Sequence, residues 1–159
     1  TLLTRAADAM PEEHYGFQPT PDMRPFLGNI THAALSNYGF CANLRRTKPP
    51  VDLATFAASI TTKAQAQKAL ADSIAFCSEF TSALTAPGLV ETYTATRRLP
   101  DGTSSPVQVE VGGLLANLTA HQNEVYGYTA VYLRLKGIVP PSSAGRTAGR
   151  GRAGGGGLR

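Results

Sequence analysis

Apolar residues recur at helical spacing in four stretches of the chain and alternate with polar ones in a fifth. Over Thr1–Met10, Leu2 or Leu3, Ala6 and Met10 lie about one turn apart and Pro11 closes the run, which predicts a short first helix. Pro11–Arg24 reads as a connection, ending in the helix-entry signal Thr20-Pro21-Asp22. From about Pro25 to Leu44, Leu27, Ile30, Ala34, Tyr38 and Cys41 are spaced three to four apart and predict a second helix. Arg45–Ser59, with Pro49 and Pro50, reads as a long connection with one helical turn around Leu53–Ala58. Thr62-Lys63-Ala64-Gln65 fits a capping box, in which the Thr hydroxyl and the Gln side chain satisfy free backbone amides.

The third helix should follow to about Thr85, with Leu70, Ile74, Cys77 and Leu84 on one stripe, Phe80 beside it, and Pro87-Gly88 as its stop. Leu99-Pro100-Asp101-Gly102 is a turn signature, and Val107, Val109 and Val111 alternate with polar residues, which predicts a short hairpin. The fourth helix has Leu114, Leu118, His121, Val125, Tyr128, Tyr132 and Leu135 on one side, in 4-3-4-3-4-3 spacing, and ends at Lys136-Gly137. The expected fold class is all-α, a four-helix bundle with a short hairpin between the third and fourth helices.

Composition narrows this further. A chain of 159 residues with 42% hydrophobic and 16% charged residues can bury one core, so one domain is expected. No apolar run reaches the length of a membrane-spanning helix. The formal charge of +4 suggests a nucleic-acid partner until it is located: residues 1–142 carry 11 basic and 11 acidic residues, and Arg146, Arg150, Arg152 and Arg159 supply the excess. The helical domain is therefore placed at 1–142, and 143–159 is read as a disordered Gly/Arg-rich tail. The tail has no aromatic residue to stack on bases, so no nucleic-acid partner is expected. The first helix is short for a bundle and reads as truncated. One reading is therefore an incomplete copy, its core partly uncovered and in need of a partner.

Candidate chemistry is sparse. Of three histidines, His121 lies on the inward stripe of the fourth helix and His32 between the apolar seams of the second, while His14 is expected to be solvent-exposed. Imidazoles on facing helices can share a metal, although a lone inward His is more often a hydrogen-bonded core residue. Glu124 and Asn117 flank His121, so a two-His, one-carboxylate set is conceivable, against the simpler reading of Glu124 as a solvated charge. Tyr38, Tyr126, Tyr128 and Tyr132 read first as half-buried packing residues and second as the lining of a polar cleft. Cys41 and Cys77 read first as small buried hydrophobes, with a disulfide between the second and third helices as the alternative. No phosphate loop, Ser-His-Asp ordering or paired carboxylate points to another enzyme class, and localisation stays open.

Two segments, MPEEHYGFQPTPDMRPFLGNITHAALSNYGFC and LTAHQNEVYGYTAVYLRLKGIVPPSS, resemble the first and last blocks of the DinB-like proteins, the damage-inducible four-helix bundles. The resemblance covers roughly residues 2–143. It implies a divalent metal, often zinc or nickel, held by one histidine in the second helix and two at i and i+4 in the last. His32 and His121 match two of these positions, the third falls on Val125, and a polar position that commonly follows falls on Tyr128. Some such proteins transfer low-molecular-weight thiols, the metal favouring the thiolate. The expectation is a metal-dependent transferase or hydrolase scaffold with a degenerate site at His32 and His121, with Glu124 as a substitute ligand and a small-molecule or thiol ligand. The competing expectation is a non-catalytic small-ligand-binding or stress-response module that has lost its metal. Homodimers would suit such a bundle.

Overall fold

The computed structural model describes residues 1–145; the rest of the expected tail, 146–159, lies outside the described residues. The described chain is mostly helical, with five α-helices and a two-stranded antiparallel sheet. The sheet is the expected hairpin, and it corrects the all-α class.

Helix α1 (Leu2–Ala9) starts where the Thr1 hydroxyl accepts from the Thr4 amide at 3.1 Å, and it buries Leu3, Ala6 and Ala7. The connection that follows is tied down by Tyr15, which is 4% exposed. Its hydroxyl donates to the Ala7 carbonyl at 2.6 Å, and its ring meets Phe26 edge-on at 5.1 Å. His14 ends a 3-10 turn, Glu12–His14, and is half-buried rather than exposed, because that turn folds back beside Tyr15.

Helix α2 (Phe26–Arg45) begins with the Phe26 and Leu27 amides donating to the Phe17 and Tyr15 carbonyls, so the connection itself caps the helix. Arg46 ends it in the left-handed region at φ 55°. A 3-10 turn, Phe56–Ser59, fulfils the expected turn in the next connection. Helix α3 (Lys63–Thr81) opens on the capping box: Thr62 Oγ1 accepts from the Gln65 amide, and Gln65 Oε1 accepts from the Thr62 amide, both at 3.2 Å.

Helix α3 ends four residues before the expected Thr85. Thr85 instead caps a separate one-turn helix, α4 (Ala86–Leu89), in which Pro87 sits at the start, where a missing N–H costs nothing. Strands β1 (Thr92–Arg98) and β2 (Ser104–Glu110) pair with Val107 opposite Ala95 and Val109 opposite Tyr93. Val111 is the first residue of helix α5 (Val111–Leu135), not a strand residue, because the chain turns straight from β2 into the helix. A Cβ on Gly112 would lie 2.9 Å from the Leu89 carbonyl oxygen, so that close approach of α4 to α5 requires glycine.

Helix α5 buries Val111, Leu118, Val125, Thr129, Tyr132 and Leu133. Tyr128 and Leu135, expected on the inward stripe, are 43% and 57% exposed. A straight helix drifts about 20° per heptad against a 3.5-residue repeat, so the second seam turns outward along α5 and Thr129 and Leu133 take over. The helix closes with the Ile138 amide on the Leu133 carbonyl and Gly137 at φ 73°.

Helices α1, α2, α3 and α5 share two apolar clusters. One gathers Leu3, Met10, Tyr15, Phe26, Ile30, Leu70, Val125 and Tyr132; the other holds Leu44, Val111 and Leu118 around Cys41 and Cys77. Those cysteines form a disulfide between α2 and α3, with Cα atoms 5.3 Å apart, so the covalent alternative replaces the reading of two free buried thiols.

Candidate functional site

Helices α2 and α5 run antiparallel, as their cross-links show. Ser36 meets His121, Gln122 Nε2 donates to the Ala33 carbonyl at 3.1 Å, and the Tyr132 hydroxyl donates to the Arg24 carbonyl at 2.6 Å. This packing brings His32 and His121 together, with ring centroids 5.0 Å apart in an edge-to-face arrangement. Asn29, His32 and Ser36 follow at i, i+3 and i+7, so one face of α2 carries all three toward the seam.

His121 is hydrogen-bonded at one ring nitrogen and faces a carboxylate at the other. Its Nε2 is 2.9 Å from Ser36 Oγ, and its Nδ1 is 3.7 Å from Glu124 Oε2. The Phe40 ring stacks at 6.2 Å. Glu124 Oε1 accepts a 2.6 Å hydrogen bond from the Tyr128 hydroxyl, and that bond, with the carboxylate charge, raises the Tyr128 pKa. Burial, and then the charges of Arg24 and His121, push the His32 imidazole below its usual value, so the neutral ring is favoured.

A hydroxyl, an imidazole and a carboxylate thus stand in sequence at Ser36, His121 and Glu124. The order resembles a nucleophile-activating triad but lacks a main-chain oxyanion hole, because Ser36 lies in the middle of α2, where backbone amides are spent in the helical ladder. The arrangement orients the His121 ring and leaves Ser36 as a positioning group.

The family-type metal set does not fit the residues present. Val125, at the position the resemblance gives to a third ligand, is 2% exposed and packs in the larger apolar cluster. His121 Nε2 is already engaged by Ser36. Among the described residues no group of three or more His, Cys, Asp or Glu side chains is arranged to hold a metal ion.

The other candidates fall elsewhere. Asn117 lines a cavity against the hairpin with Thr96, Gln108 and Glu110. Tyr38 is 5% exposed and packs edge-on against Phe56. Tyr126 accepts from the Ser142 amide at 2.9 Å, and Tyr132 is buried, so these three tyrosines pack while Tyr128 reaches the site. Sequence reasoning missed Ser36 and Arg24. Helical spacing from His32 could have found the first; nothing local marks Arg24.

The class defined by fold and site is a mostly helical protein with an imidazole pair between two antiparallel helices. The family model of the DinB superfamily matches residues 1–127, and the chain belongs to that superfamily. The matched span contains His32, His121 and Val125. No curated protein matches the chain. Among the described residues no helix is long and apolar enough to cross a membrane.

Proposed function

We propose that this is a DinB-like four-helix-bundle protein on a metal-dependent transferase or hydrolase scaffold, with the metal centre reduced to His32 and His121. The seam between α2 and α5 then serves as a metal-free cleft for a small molecule. The observation that carries this reading is Val125, whose side chain has no lone pair and is buried in the core at the third ligand position. With His121 Nε2 on Ser36, the polar groups of the cleft are set for hydrogen bonding rather than coordination.

A second reading rests on the 3.7 Å approach of Glu124 to His121: a His32, His121 and Glu124 set that takes up zinc or nickel after rotation of the imidazoles. Metal content by plasma mass spectrometry separates the two. The first predicts no stoichiometric metal in the unmodified protein and uptake in Val125→His. Near-stoichiometric zinc or nickel in the unmodified protein, lost in Glu124→Ala, would overturn it in favour of the second.

A further inference from the structure

We propose that the cavity between the start of α1 and helices α3 and α5 binds a small uncharged molecule with an apolar body and an N–H donor, which pairs with the side-chain carbonyls of Asn37 and Gln122. The cavity, about 300 Å³, is lined by Leu3, Ile74, Cys77 and Leu118, with Asn37 contributed by α2 and Gln122 by α5. It is separate from the histidine seam. Asn37 and Gln122 each follow a seam residue, Ser36 and His121, and one position along a helix turns a side chain by about 100°. The proposal therefore holds whether or not His32 and His121 carry a metal.

Both amides present an oxygen because their nitrogens are committed elsewhere. Asn37 is 6% exposed, and its Nδ2 donates to Ser73 Oγ at 3.0 Å. The Ser73 hydroxyl gives its own proton to the Leu70 carbonyl at 2.8 Å, so it can only accept from Asn37, and this fixes which way the amide faces. Gln122 is fixed in the same manner: its Nε2 donates to the Ala33 carbonyl at 3.1 Å, which cannot donate in return. Neither Asn37 Oδ1 nor Gln122 Oε1 has a hydrogen-bond partner among the described residues. The side-chain polar atoms among them that are both unpaired and closed off are Asn29 Nδ2 and Thr31 Oγ1 alone, so these two oxygens keep open surface, and the cavity is a space both residues line. Ala33 and Asn37 are one turn apart on α2, which brings the two amides to neighbouring levels.

Two unanswered acceptors select the ligand. A largely buried carbonyl oxygen without a partner is costly, and a donor inside the cavity removes that cost. The lining has no acidic or basic side chain, so an ammonium would be desolvated without a counter-charge and a carboxylate would face two carbonyl oxygens. Leu3, Ile74, Leu118 and the Cys77 sulfur form walls that suit an aromatic body, and the volume lies at the small end of ligand sites. A neutral one-ring arylamine meets all of these conditions.

The test is an NMR titration of the full chain, its disulfide intact, with aniline at neutral pH, where the amine is uncharged. The Asn37 and Gln122 side-chain amides are followed, and toluene, benzylamine and benzoate are the comparison probes. Aniline should shift both amides saturably and bind about fivefold tighter than toluene, the worth of one neutral hydrogen bond, while the two ions shift neither. Asn37→Ala should bring aniline down to the toluene level and keep toluene binding, which a general loss of structure would not do. Gln122→Ala, at a half-buried position, gives the same reading if Asn37→Ala fails to fold. Ser78→Trp, at an exposed position on the cavity lining, should block both neutral probes. Aniline that causes no saturable shift, binds no tighter than toluene, or binds the amide variants as well as the unmodified protein overturns the proposal. So does benzylamine or benzoate binding more tightly than aniline.

Discussion

Reducing the Cys41–Cys77 disulfide should lower stability more than any single surface change. The bond joins α2 to α3 across a sequence separation of 36, so in the unfolded chain it closes a loop of about that length. Chain-entropy reasoning gives about 4 kcal/mol for such a loop, with native strain able to reduce it. Reduction leaves both sulfur atoms in place among Leu44, Val111 and Leu118, so little packing is lost and the entropic part dominates. For a domain of this size the change corresponds to a fall in Tm of about 10 °C. Cys77 is 9% exposed and lines a cavity of about 300 Å³ with Ile74, Leu118 and Tyr126, which gives a reductant access to the folded protein. Thermal melts with and without a phosphine reductant, paired with thiol counting in denaturant, measure it. Equal melting temperatures in fully reduced and untreated protein would refute the reasoning, as would two titratable thiols before reduction.

His32 supplies a pH dependence. Its folded-state pKa lies below the ordinary 6.5, so the unfolded chain takes up the proton first as the pH falls. Its stabilising contribution is complete above 6.5 and is lost as the pH drops through its lowered folded value. Urea denaturation at pH values on either side of 6.5 should show a stability loss on acidification that His32→Gln reduces; an unchanged slope would count against burial of the neutral ring. Thr62→Ala removes the capping-box acceptor and should cost about 1 kcal/mol at equilibrium, read as a lower urea midpoint with an unchanged m-value.

Much of the helical layout was legible because α1, α2, α3 and α5 each bury residues at regular spacing, and because Thr62 and Gln65 announce a helix start locally. The end of α3 was not legible: Pro87 read as a terminator, yet a proline stops one helix and starts another equally well, and only the Thr85 cap distinguishes the two cases. The outward turn of Tyr128 and Leu135 escaped a heptad reading because the mismatch between 3.5 and 3.6 accumulates over 25 residues. The disulfide depends on which faces of α2 and α3 meet, and the spacing of two cysteines contains no such information. The histidine pair was legible from its helical positions, whereas Ser36 gains its role only from the antiparallel docking of α5. Ser36 and His121 come together across 85 residues of sequence, with Glu124 a turn beyond His121, so a search for linear catalytic order cannot see them.

At position 125 the metal set implied by the resemblance and the apolar core would compete for the same helix face. His121 and residue 125 are one turn apart, separated by about 40° around the axis. The first looks into the seam with a quarter of its side chain exposed, while the second is turned into the cluster with Tyr132 and Ile30. Without a metal, valine there contributes about 1.5–2 kcal/mol of burial, and an imidazole would bring a polar edge into the core that needs a partner. Val125→His should therefore be less stable than the unmodified protein when metal-free, by about 1–3 kcal/mol. Zinc binding to the folded state alone should restore that stability in proportion to the logarithm of free zinc. The unmodified protein should show no such zinc dependence. A Val125→His protein that folds but whose Tm ignores zinc would mean that His32 and His121 are not placed to share an ion, and that their 5.0 Å approach serves packing alone.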